Sequence, residues 1–217
     1  MKKRSYMFAG PIVVLLAYLV AWPLYYRSDR LAANVVDVET GRPVEGALVV
    51  VEWEIEKPLL HGHDRRTLHS VQVVTDRNGV FQTEAWDAKY AGVLWKMSAT
   101  YPRALVLKNG YEMESASNFS LAFGGFQCPG SKFARISPGI THASSTVVSS
   151  WNGCQIAIKR FNGEPNEYAS RVSWVQQSLC DEINGIACSE ALKTYFAEER
   201  LRLEELGALP SFLSLIR

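Results

Sequence analysis

Apolar side chains at Ala47, Val49, Val51, Trp53 and Ile55 alternate with glutamates at Glu52, Glu54 and Glu56. A period of two predicts a strand over 47–56 with one wet face, and it points Trp53 inward. Val35-Val36-Asp37-Val38 predicts an earlier strand. It is closed by Glu39-Thr40-Gly41-Arg42-Pro43, where Gly41 suits a positive φ and Pro43 presets a turn. Ser70-Val71-Gln72-Val73-Val74-Thr75 predicts a third strand that runs into Asp76-Arg77-Asn78-Gly79. Asn-Gly ahead of Val80-Phe81 reads as a hairpin turn into a fourth. Further strands are expected near 104–107 and 156–158. Short strands with no helical run between them argue for a mainly β chain built on an antiparallel sandwich.

The period changes after Asn162-Gly163-Glu164-Pro165. Tyr168, Val172, Val175 and Leu179 recur at helical spacing, and Pro165 suits a first turn. Residues 181–187 contain Gly185 and predict a loop. Ser189 then caps a second helix with Leu192, Tyr195, Phe196, Leu203 and Leu206 on its apolar side, a Glu198–Arg202 pair for support, and Gly207 and Pro210 at its end. The two form a helical hairpin whose apolar faces are expected to pack on the sandwich or on each other. The tail from Leu209 to Ile216 is too short to span a membrane.

At the other end, no charge occurs from Tyr6 to Tyr26, a length that crosses a hydrocarbon core of roughly 30 Å as a helix. Lys2-Lys3-Arg4 before it and Tyr25-Tyr26-Arg27 after it give a positive inner end and an aromatic belt, which places the N-terminus in the cytoplasm. Pro11 and Pro23 are tolerable near the ends of such a helix. The reading is an uncleaved signal-anchor with the lipid bilayer as partner. A cleaved signal peptide is the competing reading, with Leu31-Ala32-Ala33 as a weak small-x-small match. The organisation that follows is 1–30 for the cytoplasmic tip and anchor, 31–162 for the sandwich with a long insertion near 115–150, and 163–217 for the helical hairpin and tail.

Composition narrows the class. Of 217 residues, 47% are apolar and 21% charged, which excludes wholesale disorder and collagen-like architecture. Net charge is +1, and Lys2, Lys3 and Arg4 lie before the apolar run, so the rest is slightly acidic and offers no basic face to nucleic acid. Cys128, Cys154, Cys180 and Cys188 are even in number, all beyond the apolar run, and none forms Cys-x-x-Cys. Export with disulfides is expected, in a periplasmic or extracellular setting, with Cys180–Cys188 across the short loop and Cys128–Cys154 around a long one. Four free buried thiols are the alternative.

Val36-Val38 followed by Glu39-Thr40-Gly41-Arg42-Pro43-Val44-Glu45-Gly46-Ala47, then Thr75-Asp76-Arg77-Asn78-Gly79-Val80-Phe81 and Lys108-Asn109-Gly110-Tyr111, resembles the carboxypeptidase regulatory-like domain. The resemblance covers roughly residues 33–112, with the strand at 154–160 as a further piece, and departs at the insertion. It implies a small transthyretin-like β-sandwich and a non-catalytic accessory or adhesion-like module, and it carries over no active site.

Candidate chemistry is sparse. His61-Gly62-His63-Asp64 with His69 places three imidazoles within nine residues and offers zinc or copper ligands, although it falls in a polar connection between strands. Gly125-Phe126-Gln127-Cys128-Pro129-Gly130-Ser131-Lys132 misses a phosphate loop, because lysine must directly follow the second glycine. No Gly-x-Ser-x-Gly elbow occurs. Trp86, Trp95 and Trp151 are open to sugar stacking or to core packing. Asn118-Phe119-Ser120 is a glycosylation triplet. Phe119, Phe123, Phe126 and Phe133 give the insertion apolar area for a partner or for pinning the loop, and the first three are the candidate partner contacts. The expected role is a membrane-anchored, non-enzymatic envelope module that contacts another envelope protein and needs no cofactor. A glycan- or metal-binding extracytoplasmic protein is the alternative.

Overall fold

The structure, a computed structural model, describes residues 24–59, 62–118, 126–127, 146–147, 149–180 and 188–216. Among the described residues twelve strands come in chain order: β1 (Tyr25–Ser28), β2 (Ala32–Asp37), β3 (Leu48–Leu59), β4 (Gly62–Val74), β5 (Val80–Gln82), β6 (Trp86–Tyr90), β7 (Lys96–Met97), β8 (Arg103–Leu107), β9 (Glu114–Ala116), β10 (Phe126–Gln127), β11 (Thr146–Val147) and β12 (Gln155–Ile158). Helices α1 (Pro165–Leu179), α2 (Glu190–Glu205) and α3 (Pro210–Leu213) follow. The apolar run expected to cross a membrane lies outside the described residues except for its last three. Tyr25 and Tyr26 belong to β1, so the β structure takes in residues ahead of 31. The reason is packing: Tyr26 is buried in the core and its hydroxyl accepts a 3.0 Å bond from the Met97 amide. No helix among the described residues is long and apolar enough to cross a membrane.

The strands form three sheets: β4-β3-β8-β9 with β7 also on β3, β10-β12-β2-β5, and the smaller β11-β1-β6. The first two enclose one core, Val49, Val51, Trp53, Ile55 and Val106 on one side meeting Val35, Phe81, Ile156 and Ile158 on the other. The fold is thus mainly β, as expected, and the sheet built on β3 is antiparallel throughout, but the other two sheets are mixed. β12 runs parallel to β2, and β11 parallel to β1. Parallel neighbours need long connections, and these pairings join the first strands of the chain to segments that return more than a hundred residues later.

Two local expectations are corrected by this topology. The Asp76–Gly79 turn exists, with Gly79 N–H donating to the Asp76 carbonyl at 2.9 Å, yet it is not a hairpin within one sheet. β4 pairs with β3 whereas β5 pairs with β2, so the turn carries the chain from one sheet to the other. Gly79 sits at φ +72°, and a Cβ there would meet the Val35 carbonyl oxygen at 2.4 Å. The turn therefore has to be glycine because the β2 backbone passes against it. The other correction concerns the wet face of β3. Glu52, Glu54 and Glu56 are on it, but Leu48 and Val50 on the same face are buried with Leu107 beneath the helices.

The helices match their expected spans closely. Pro165 occupies the first turn of α1, and the Ser189 hydroxyl caps α2 by accepting from the Leu192 amide at 3.2 Å. Cys180 and Cys188 are disulfide-bonded across the connection. Val172, Leu179, Leu192, Phe196 and Leu203 form a second core with α3 and Ile216. Within α2 the Glu198–Arg202 pair does not form. Glu198 accepts from Asn109 at 3.2 Å, while Arg202 turns inward to the fully buried Glu199 with contacts of 2.5 and 3.0 Å. A buried carboxylate needs a charged partner more than an exposed one does. Leu206 stays exposed because α2 ends at Glu205.

The turns of the family-like motif interlock through side chains. Thr75 Oγ accepts from the Ala47 amide at 2.8 Å and donates to the Val44 carbonyl at 2.7 Å, tying the strand before one turn to the strand after the other. Asp37, also buried, accepts from the Glu39 and Thr40 amides at 2.9 Å, from the Tyr111 hydroxyl at 2.9 Å and from Arg160 at 3.2 Å. These donors, the Thr40 amide first, outweigh burial and hold its carboxyl at about 2, below its usual 3.8. A depressed acid stabilises the fold above its unfolded value and loses that effect as pH falls from 3.8 through about 2. Asp37→Ala is expected to cost about 2 kcal/mol or more at neutral pH. In urea melts followed by tryptophan fluorescence, its deficit against the parent should shrink between pH 4 and pH 2; a constant deficit would contradict the assignment.

Candidate functional site

His63 and His69 both lie on β4, which turns the expected polar connection into a long strand paired with β3 down to Leu59–Gly62. Six residues apart on a regular strand, they would share a face. The ladder slips between Trp53 and Glu54, where His69 opposes Trp53 but Thr67 opposes Glu54. This bulge inverts the alternation, so His63 belongs to the outer face and His69 to the inner one. His61 lies outside the described residues. Among the described residues no group of three metal-ligating side chains converges.

The inward imidazole is an aromatic core element. His69 stacks on Trp53 at 5.4 Å and meets the edge of Trp86 at 5.1 Å. Trp53 and Trp151 are fully buried, Trp86 is nearly so, and the Trp151 indole donates to the Pro102 carbonyl at 2.9 Å. Trp95 is half-buried and carries Lys57 and Arg66 over its ring at 4.8 and 4.5 Å. The tryptophans singled out for sugar stacking are therefore committed to the fold or to cations.

The insertion is only partly described. Phe119, Phe123, Phe133 and Cys128 lie outside the described residues, and of Phe126 only the backbone is described, opposite Ile156 in β10. Cys154 is disulfide-bonded. Asn118 fastens the two ends of the insertion: its Nδ2 donates to the Tyr101 carbonyl at 2.8 Å, and its Oδ1 accepts from the Ser150 amide at 2.8 Å. The asparagine of the glycosylation triplet thus has both ends of its amide engaged.

Beyond the helices, the outer face of the large sheet carries a ladder of charge. Glu52 accepts from Arg103 at 2.7 Å, Glu54 from the Tyr101 hydroxyl at 3.2 Å, and Glu56 pairs with Lys96 at 3.2 Å. Burial raises the Glu54 carboxyl despite Tyr101 and Arg65, and burial foremost pushes the Tyr101 hydroxyl to about 12. Half-buried pairs give back much of their attraction in lost hydration, so the ladder mainly keeps the face polar and matched.

A polar chain joins this sandwich to the helices. Tyr111 donates to Asp37, the Tyr168 hydroxyl of α1 donates to the Tyr111 carbonyl at 2.6 Å, and Arg202 lies over the Tyr168 ring at 5.2 Å on its way to Glu199. Burial raises the Tyr168 and Tyr195 hydroxyls, so both stay protonated. Among the described residues the most conspicuous unburied aromatic is Trp174 of α1, 71% exposed, next to Ser173, whose hydroxyl donates to the Leu215 carbonyl at 3.2 Å. Leu215 is itself exposed. Sequence reading passed over Trp174, although its position off the Tyr168, Val172, Val175, Leu179 stripe was a legible sign that it faces outward.

Comparison with protein-family models, with curated proteins and with solved structures finds no match.

Burial, with Lys89 adding repulsion, lowers the His69 imidazole below its usual 6.5. A depressed base stabilises the fold above its unfolded value, and this contribution is lost as pH falls below 6.5. Proton NMR of the folded chain should therefore show the His69 ring titrating below 6.5. His69→Phe should flatten the pH dependence of stability just under 6.5; a ring that titrates at or above that value would contradict its place in the aromatic core.

Proposed function

We propose that this chain is a membrane-anchored, non-enzymatic envelope module of the carboxypeptidase regulatory-like kind. In this reading the sandwich is a rigid platform and the role is interaction with, or scaffolding of, another protein. The observation that carries the contact is Trp174. Tryptophan exposes a large apolar surface at little conformational cost, and such residues centre many protein interfaces. It sits on a helix braced by the disulfide Cys180–Cys188 and by the polar chain to Asp37, so it would be presented rigidly. Export is supported by that same disulfide, since such bonds persist in oxidising compartments. The uncharged run after Lys2-Lys3-Arg4 supports an anchor with its basic end inside.

Two experiments test this. Alkaline phosphatase fused after Arg217 should be active, as it is only outside the cytoplasm; an inactive fusion beside an active cytoplasmic reporter would overturn the topology. Photocrosslinking in intact cells should capture a partner through α1, and Trp174→Ser should abolish that species while the thermal melt stays unchanged, because the ring is mostly in solvent. An identical crosslinking pattern in the variant counts against Trp174 as the contact.

A further inference from the structure

β1 begins where the uncharged N-terminal run ends, and the surface around that point is unusually apolar. Leu24, Tyr25, Tyr90, Val93, Leu94 and Leu59 are each between 38% and 56% exposed. They share one end of the molecule. Tyr25 opposes Tyr90 in the β1–β6 ladder with rings 5.2 Å apart, and the Ala91 amide donates to the Leu24 carbonyl at 2.8 Å. Val93 and Leu94 occupy the turn that follows at once, closed by the Trp95 amide on the Gly92 carbonyl. Arg66 of β4 bonds the Ala91 carbonyl, and Lys57 of β3 lies over Trp95, which brings the tip of the β3–β4 hairpin, with Leu59, to the same end.

We infer that this end of the sandwich is a footing on the lipid bilayer, its apolar and aromatic tips at the depth of the headgroups. The inference rests on the anchor reading and adds to it an orientation for the domain. The occupant is argued from where the chain goes. The segment that precedes Leu24 is the uncharged run that begins at Tyr6, so a spanning helix would emerge beside this patch and hold it against the membrane surface. The chemistry agrees: tyrosine and half-buried tryptophan favour the interface, and Lys57, Arg66 and Lys89 around them suit anionic headgroups. The acids nearest the hairpin end are paired, Asp64 with Lys57 at 3.3 Å and Glu56 with Lys96 at 3.2 Å. β3 is twelve residues long and runs from the helical layer at Leu48 to Leu59, roughly 36 Å at about 3.3 Å per residue. Such a footing turns Trp174 and the helices away from the lipid, toward proteins in the compartment beyond.

The test uses the full chain in phosphatidylethanolamine–phosphatidylglycerol vesicles that carry a headgroup nitroxide lipid. A fluorophore is attached at Val93→Cys, at Leu59→Cys or, as the distal control, at Trp174→Cys. Flotation with the vesicles reports the anchor, and nitroxide quenching reports the footing. Expected are flotation of all three chains and quenching at positions 93 and 59 about twofold or more above that at 174. Flotation with equal quenching at the three positions overturns the footing and leaves the anchor standing. A chain that does not float overturns both.

Discussion

A single buried carboxylate organises much of this fold. Asp37 ends β2, and from there it gathers two backbone amides of the following turn, a tyrosine 74 residues later and an arginine 123 residues later. Those donors come from three separate stretches of chain, so the carboxylate closes loops whose entropy would otherwise keep them apart. Satisfying it requires the turn at Thr40, the Lys108-to-Tyr111 turn and the end of β12 to be in place together. The bridge between Tyr111 and Arg160 records the same meeting in the backbone.

From that point the polar chain continues outward through Tyr168 to Arg202 and Glu199. It makes the helical layer part of the sandwich and not an appendage to it. The apolar counterpart is β3, whose first four residues are buried on both faces, one against the opposite sheet and one against the helices. Where the helices stop, the outer face becomes the paired ladder of Glu52, Glu54 and Glu56. One strand therefore runs from beneath the helical layer, which carries the exposed Trp174, to the exposed Leu59.

Much of this was legible in the chain itself, because it depends on neighbours a few residues away. The period of two in β3, the helical stripe of α1, the Ser189 cap, the Pro165 start and the positive φ at Gly41 and Gly79 all follow from local sterics and local hydrogen bonding. The disulfide across the α1–α2 loop was legible for the same reason, its cysteines being eight residues apart.

What only the tertiary structure decided are relations between distant segments. The Asn78-Gly79 turn was readable as a turn, but whether β5 would stay beside β4 or cross to β2 depended on which backbone lay free to pair. The wet face of β3 was readable, but how far helices would cover it was not. The histidines show the point most sharply: a one-residue bulge opposite Trp53 separates His63 from His69, and nothing within 63–69 announces it. Periodicity assigns a side chain to a face relative to its neighbours. Which face becomes interior, and where the alternation slips, is set by the long-range partner that the strand pairs against.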